Sequence, residues 1–391
     1  MSFLSGAVSF SRFQVLGGSP KRLDENLLEK FRATRIGSRA CLPANHEEVG
    51  WLGGRHLLDV EFDLEKNVIL ECLLFGLRVD ASRIPPDLLR AYVEMELDAA
   101  REKTADARSR LRVRRQAVDA AKGRAEREIK EGRYQRLRQV PILWDTRDDV
   151  LYVGATQPTI LERLHPLFRT AFNKRLEQLS AGYLSYQWAD EKGAGRRLES
   201  LKPSRFVEHP GGNGDAQVYW TAHDAASRDY LGNEFLLWLW YTLWTESDTI
   251  KLVDGTEAAV MFANQLVLEC PRGEDGKETI TCEGPTQLPE SRRAIQTGKL
   301  PRRAGLIVSR QGQQYEFVLQ AETFSIRGAT LPKVETNGNG DSRARLEERV
   351  EQVRHLAQTV DLLFHTFLDR RLSGEWQTKL RQIAVWLQSV H

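Results

Sequence analysis

The chain has 391 residues and is 41% hydrophobic, long enough to bury a sizeable core and to form two or three domain-sized units. Its 56 Lys+Arg stand against 54 Asp+Glu, so a globally basic, histone-like protein is excluded, and any nucleic-acid surface must come from local clustering. Four cysteines, Cys41, Cys72, Cys270 and Cys282, show no C-x-x-C spacing, which excludes a zinc ribbon, a thioredoxin motif and a disulfide scaffold.

Met1 to Phe13 carries no early Lys/Arg and no sustained apolar stretch, so it does not read as a signal peptide. The longest apolar run, Phe235 to Leu243, is broken by Thr242 and falls far short of the roughly 20 residues a bilayer span needs. A cytoplasmic protein, neither secreted nor membrane-embedded, is expected.

Ala7 to Leu16 alternates as a strand and ends at Gly17-Gly18-Ser19-Pro20. Asp24 is placed to cap a helix carrying Leu27, Leu28 and Phe31. Val68 to Val79 is rich in β-formers and reads as a second strand. Pro85-Pro86-Asp87 opens a long helix with Leu88, Leu89, Tyr92, Val93 and Leu97 at helical spacing. From Arg101 to Arg138 the pattern changes: 14 Lys/Arg against 6 Asp/Glu give a local net of +8. This reads as an exposed basic helix over 86–138, or a pair with a break near Gly123.

Val140 to Trp144 and Val150 to Val153 form a hairpin around Thr146-Arg147-Asp148-Asp149. Pro158 opens a helix with Ile160, Leu161, Leu164, Leu167 and Phe168, and a strand is expected at Gly182 to Trp188. The stretch 190–230 is rich in Gly, Pro and charge and reads as a linker or surface excursion. Phe235 to Trp244 is a buried helix. Short strands follow at Ile250 to Val253, Glu257 to Phe262, Gln265 to Cys270 and Thr279 to Cys282, with Asp254-Gly255 a hairpin signal between the first two. A helix near Pro289 to Thr297 precedes strands at Gly305 to Ser309 and Tyr315 to Gln320. Asn337-Gly338-Asn339-Gly340 is a flexible break. Beyond it Leu346, Val350, Val353, Leu356, Val360, Leu363 and Phe367 line one long amphipathic helix, and Trp376, Leu380, Ile383 and Leu387 a second.

The expected fold is α+β, with mixed or antiparallel sheets, a long charged helix and a flexible C-terminal helical extension. Its blocks are 1–190, a linker at 191–230, a second α+β region at 231–333, and helices at 341–391.

Two basic clusters are candidates for phosphate contact. The first is Arg101 to Arg138, with Arg112, Arg114 and Arg115 at its centre; a solvated helical face with compensating Glu is the plainer reading. The second is Arg292, Arg293, Lys299, Arg302 and Arg303, where Gly298 and Pro301 suggest a turn that presents the side chains outward; scattered surface charge is its plainer reading. Asp59, Glu61 and Asp63 alternate, so on a strand they share one face, where three carboxylates could bind Mg²⁺ as a nuclease needs. A polar edge strand is the reading preferred there, because no matching His or Lys constellation is evident. Glu128-Ile129-Lys130 has an E-x-K spacing, as arises by chance in a charged helix. No Walker A, G-x-S-x-G or H-E-x-x-H motif occurs, and no cofactor is implied. His355 and His365 read as structural or surface histidines, and Phe235, Trp238, Trp240, Tyr241 and Trp244 as core rather than a base-stacking platform.

Several pieces in this order resemble the bacterial recombination-associated protein RdgC family. They are Arg12-Phe13-Gln14-Val15 at the end of the first strand, Glu48-Val49-Gly50-Trp51, the charged helix after Pro86, Val140-Pro141-Ile142-Leu143-Trp144-Asp145, the helix from Pro158 to Phe172, and Thr297-Gly298-Lys299 leading into Ala304 to Val308. The resemblance spans about residues 1–330. It implies a non-enzymatic, nucleoid-associated protein that forms a ring-shaped homodimer around double-stranded DNA, binds with little sequence preference and limits a recombinase. It implies a DNA-contacting role for Lys299; the roles of Arg302 and Arg303 come from charge alone. Tyr134 and Leu137 are the nearest counterparts of the family's aromatic residue at the ring-closing interface. The extension from about Asp341 and the 190–230 stretch depart from the family pattern.

Overall fold

Residues 3, 5–37, 46–101, 107–207, 218–222, 224, 227–272, 276–333 and 342–389 are described by a computed structural model. In chain order the elements are β1 (Val8–Leu16), α1 (Glu25–Ala33), β2 (Glu47–Leu52), α2 (Leu64–Asn67), β3 (Val68–Ile69), β4 (Cys72–Ser82), α3 (Pro86–Arg101), α4 (Ala107–Lys130), β5 (Gln135–Asp145), β6 (Val150–Val153), α5 (Pro158–Phe172), β7 (Arg175–Gln178), α6 (Ala181–Glu191) and α7 (Gly195–Glu199). They continue with α8 (Tyr230–Thr245), β8 (Thr249–Lys251), β9 (Glu257–Glu269), β10 (Lys277–Cys282), α9 (Pro289–Gln296), β11 (Leu300–Arg310), β12 (Gln313–Gln320), β13 (Ile326–Thr330), α10 (Ser342–Arg371) and α11 (Trp376–Ser389). The fold is α+β with antiparallel strand pairing, and the chain forms two compact units.

The larger unit joins Met1–Ser19, Leu143–Leu161 and Arg175–His391. Its strands run in the order β10-β9-β11-β12-β13-β1-β6, with β7 also beside β1 and β8 beside β9. The first half of β1 pairs with β13 (Phe10 opposite Ile326), and the second half with both β6 and β7 (Phe13 opposite Leu151 and Gln178). Helix α8 is apolar on every side from Phe235 onward and is buried along nearly its whole length, with Asn233 and Glu234 of its first turns also buried. Its Phe235 meets Phe324, Phe364 and Phe367, with ring centroids 5.5–6.1 Å apart. At Gly232 an added Cβ would lie 1.8 Å from the Ala321 carbonyl oxygen, so only glycine lets α8 approach that backbone.

The second unit joins Pro20–Ile142 and Glu162–Lys174. In it β4 pairs with β2, β3 and β5. Asp24 caps α1, its carboxylate accepting from the Leu27 amide at 3.1 Å, as the sequence predicted. Phe31 of α1 packs on Trp51, Phe62, Phe75 and Phe172 at 4.6–5.9 Å, which makes the aromatic core of this unit. Helices α3 and α4 pack through Tyr92 against Ala121 and Ala125, with Leu88, Leu89 and Val93 alongside.

Several sequence expectations are corrected. The helix expected over 86–138 is two helices and the start of β5, and α4 runs through Gly123 without a break. Gly182 to Trp188 is not a strand but lies in α6: Ser180 accepts from the Tyr183 amide, and Leu184, Ser185 and Trp188 bury one helical face. The β-rich run from Val68 turns back at Leu70 (φ 54°) to pair β3 with β4. The two strands expected over 257–270 are one, β9, which bulges near Asn264 (φ 62°) and keeps pairing with β11. Strands β2, β7 and β13 were not foreseen.

The C-terminal helices are not an appendage. Val350, Val353, Leu356, Val360, Leu363 and Phe367 of α10 are buried, as are Trp376, Ile383 and Leu387 of α11, and both helices belong to the larger unit. Nor do the units follow the blocks 1–190, 231–333 and 341–391, because β1 supplies a central strand to the sheet formed by the C-terminal half. The stretch 190–230 contains α7 and a helical turn at Tyr219–Thr221. Asn337 to Gly340 lies outside the described residues.

Candidate nucleic-acid interface

Helix α4 buries small residues and exposes long cationic ones. Ala117, Ala121 and Ala125 recur every four residues on the packed face. Helical spacing puts Arg112, Arg115, Lys122, Arg127 and Lys130 on the opposite side, with Asp119 and Glu126 the acidic residues among them. All five cations are exposed, and Arg114 is exposed near the start of the helix. Arg112, Arg114 and Arg115 make no ion pair among the described residues. An exposed guanidinium without a carboxylate partner is available to a phosphate at no cost in broken contacts.

The C-terminal end of α4 is held by a buried carboxylate. Glu128 accepts from Tyr92 at 2.8 Å and from Tyr134, a residue in the left-handed region at φ 63°. Those two hydroxyls, with Arg133 and Arg124 nearby, hold the Glu128 carboxyl below its ordinary range. The E-x-K spacing at 128–130 therefore marks a structural joint. Tyr134 is committed to it, while Leu137 stays partly exposed.

The second predicted cluster lies in the other unit, and most of it is already engaged. Lys299 is not displayed outward but pairs with Glu278. Arg302 is clamped by Glu269 at 3.0 Å and Glu322 at 2.8 Å, and stacks over Trp220 at 4.5 Å. Burial disfavours its charge, but the two carboxylates hold its pKa above the ordinary value. Arg303 donates to Gln320. Arg292 lies over the Trp244 ring at 4.7 Å, and Arg293 is exposed. The local reason is that the turn ends at Thr297–Gly298 and Leu300–Arg310 is a strand between β9 and β12, so Arg302 and Arg303 lie within the sheet and only Lys299 precedes it.

The three carboxylates 59, 61 and 63 are not on a strand and do not converge. Asp59 is 8% exposed and takes both 3.0 Å contacts from Lys66, plus the amides of Arg55 and Glu61. Burial raises its carboxyl, and these donors more than offset that, leaving it below the ordinary 3.8. Asp63 caps α2 through the Glu65 and Lys66 amides, and Glu61 is 79% exposed. Among the described residues no group of three His, Cys, Asp or Glu is placed to hold a metal ion.

Sequence reasoning missed Arg327, which β13 places on the same sheet face as Arg303. Its signal was absent because β13 itself, Ile326–Thr330, is short and contains a glycine. His365 stacks on Trp188 at 4.5 Å and His355 hydrogen-bonds Tyr315, so both serve packing. Among the described residues no helix is long and apolar enough to cross a membrane. Compared with known proteins, the chain matches no family model and no curated protein.

Proposed function

We propose that this protein binds double-stranded DNA without reading its sequence, through phosphate contacts made by the outward face of α4. The observation that carries this reading is the pair Arg112 and Arg115, exposed on the outward face with no carboxylate partner among the described residues, with Arg114 exposed near the start of the helix, in a chain whose formal net charge is only +2. Exposed guanidiniums clustered on one helix face supply the local positive potential that a polyanion would meet. A side chain that contacts phosphate fixes register on the duplex but carries no base information. The resemblance to the RdgC family adds the rest of the proposal: a homodimer that surrounds the duplex, is nucleoid-associated and limits the action of a recombinase.

The test is equilibrium binding of the full chain to two duplexes of unrelated sequence over a salt series. Equal affinities that fall steeply with salt, with the DNA left intact, support the proposal. Absence of binding at low salt, together with binding to an acidic protein such as a polyglutamate carrier, would assign the α4 face to a protein partner instead.

A further inference from the structure

The sheet of the larger unit has one buried and one open face. Ala304, Leu319 and Ile326 stand opposite one another on the buried face. One residue along each strand, the alternate face carries Arg303 on β11, Gln320 and Val318 on β12, and Arg327 on β13. Arg303 pairs in register with Gln320, and Arg327 with Val318, two residues away on the same strand and therefore on the same side.

Among the described residues the buried arginines of this unit, Arg12, Arg310, Arg354 and Arg371, each have an acid, and the partly buried Arg302 has two. Arg12 has Asp361, Arg354 has Asp145, Arg371 has Glu234 and Arg310 has Asp254. Arg349 instead donates to the carbonyls of Phe3 and Gly6. Arg327, partly buried like Arg302 and Arg349, has none of these. Its Nε is sealed from solvent without a hydrogen-bond partner, and the charge acting on it is that of Arg303, which like burial disfavours its own. Glu316, the carboxylate further along β12 on this face, is taken by Asn264, and Glu322, which accepts from the Gln320 amide, is taken by Arg302 and Asn233. A like-charged, part-desolvated pair is unfavourable unless something anionic completes it.

We propose that Arg303 and Arg327 form an oxyanion site on the open face of this sheet, taking a phosphate group between the two guanidiniums while Gln320 holds Arg303 in place. The ligand chemistry is a tetrahedral phosphoryl group, which suits two forked donors. It is supplied either as free phosphate or as a phosphodiester of nucleic acid. The site stands independently of α4, which lies in the other unit.

The experiment follows the arginine Nε–Hε NMR signals of the full chain while inorganic phosphate replaces chloride at constant ionic strength, and then with a short duplex in place of phosphate. A saturable displacement of the Arg327 signal by phosphate, lost in Arg303→Gln, supports the site with free phosphate as ligand. A response to duplex alone supports it with a phosphodiester. No response to either, or a linear drift unchanged in Arg303→Gln, overturns it. Thermal unfolding of Arg327→Gln supplies a second readout. In chloride the variant melts at or above the parent's temperature, because a repulsion is removed, and it loses the parent's upward shift in phosphate. A variant that melts lower in chloride and still shifts in phosphate overturns the site. In the phosphate titration and the phosphate melting shift an Arg112→Gln/Arg115→Gln chain behaves as the parent does, so failure of the α4 reading leaves this result intact.

Discussion

Asp145 and Arg354 are 209 residues apart in sequence and form a two-pronged ion pair from which water is excluded. The Arg354 Nε donates to Oδ2 at 2.6 Å and a terminal guanidinium nitrogen to Oδ1 at 2.8 Å, with Asp145 fully buried and Arg354 5% exposed. The same helix sends Asp361 to Arg12 and Arg371 to Glu234. Three ion pairs from one helix, two of them fully buried and the third reaching a buried Arg12, fix where α10 docks.

Breaking one member of the Asp145–Arg354 pair strands a buried charge, so Arg354→Met is expected to cost about 3–5 kcal/mol. The double variant Asp145→Leu/Arg354→Met should recover most of that loss. Urea unfolding of the three variants measures it; a double variant as unstable as the single one would show that the pair is worth more than its desolvation.

A chain ending at residue 333 should lose cooperative unfolding in the larger unit. The rings of Phe364 and Phe367 complete the cluster around Phe235, and without α10 that apolar surface and three buried charges are exposed. Circular dichroism melts and limited proteolysis read this out. A shortened chain that melts within a few degrees of the full one would return α10 to the status of an appendage.

Acid should loosen the same helix. Burial lowers the pKa of His365 from its ordinary 6.5, with Asp361 and Glu191 opposing in part and Arg12 and Lys192 adding to the lowering, and His355 moves in the same direction through burial and Arg310. A histidine depressed in the folded state binds its proton more readily when unfolded. Its contribution to stability is therefore full above about 6.5 and is lost as pH falls toward the folded-state value. The melting temperature of His365→Phe should drop less than the parent's between about pH 7 and pH 5. An equal drop in both would dissociate His365 from acid sensitivity.

Asp59 should matter to stability and be indifferent to magnesium. Asp59→Asn leaves Lys66, only 13% exposed, without its carboxylate, and is expected to cost about 1–3 kcal/mol. The loss should be the same with and without Mg²⁺; a Mg²⁺-dependent difference would revive the carboxylates at 59–63 as a cation site.

How much of this was legible in the sequence depends on whether a feature is local. The cap at Asp24, the apolar helix around Trp238, the Asp254-Gly255 hairpin and the periodicity of α10 are encoded in neighbouring residues, and they appear in the fold. The docking of α10 was not legible, because Arg12, Asp145 and Glu234 look like surface charges until the chain closes over 137 to 349 residues. For the same reason the cluster at 292–303 read as free cations: the carboxylates that engage Lys299 and Arg302 come from β10, β9 and the turn after β12. Arg112 and Arg115 were legible because helical spacing alone separates them from Ala117, Ala121 and Ala125.

The most direct test of the central claim compares the parent with Arg112→Gln/Arg115→Gln in duplex binding across a salt series. Each phosphate contact contributes about 0.9 to the slope of log affinity against log salt, so the variant's slope should be shallower by about 2, equally on unrelated sequences. A variant that binds with the parent's affinity and slope would contradict the assignment of DNA binding to the α4 face.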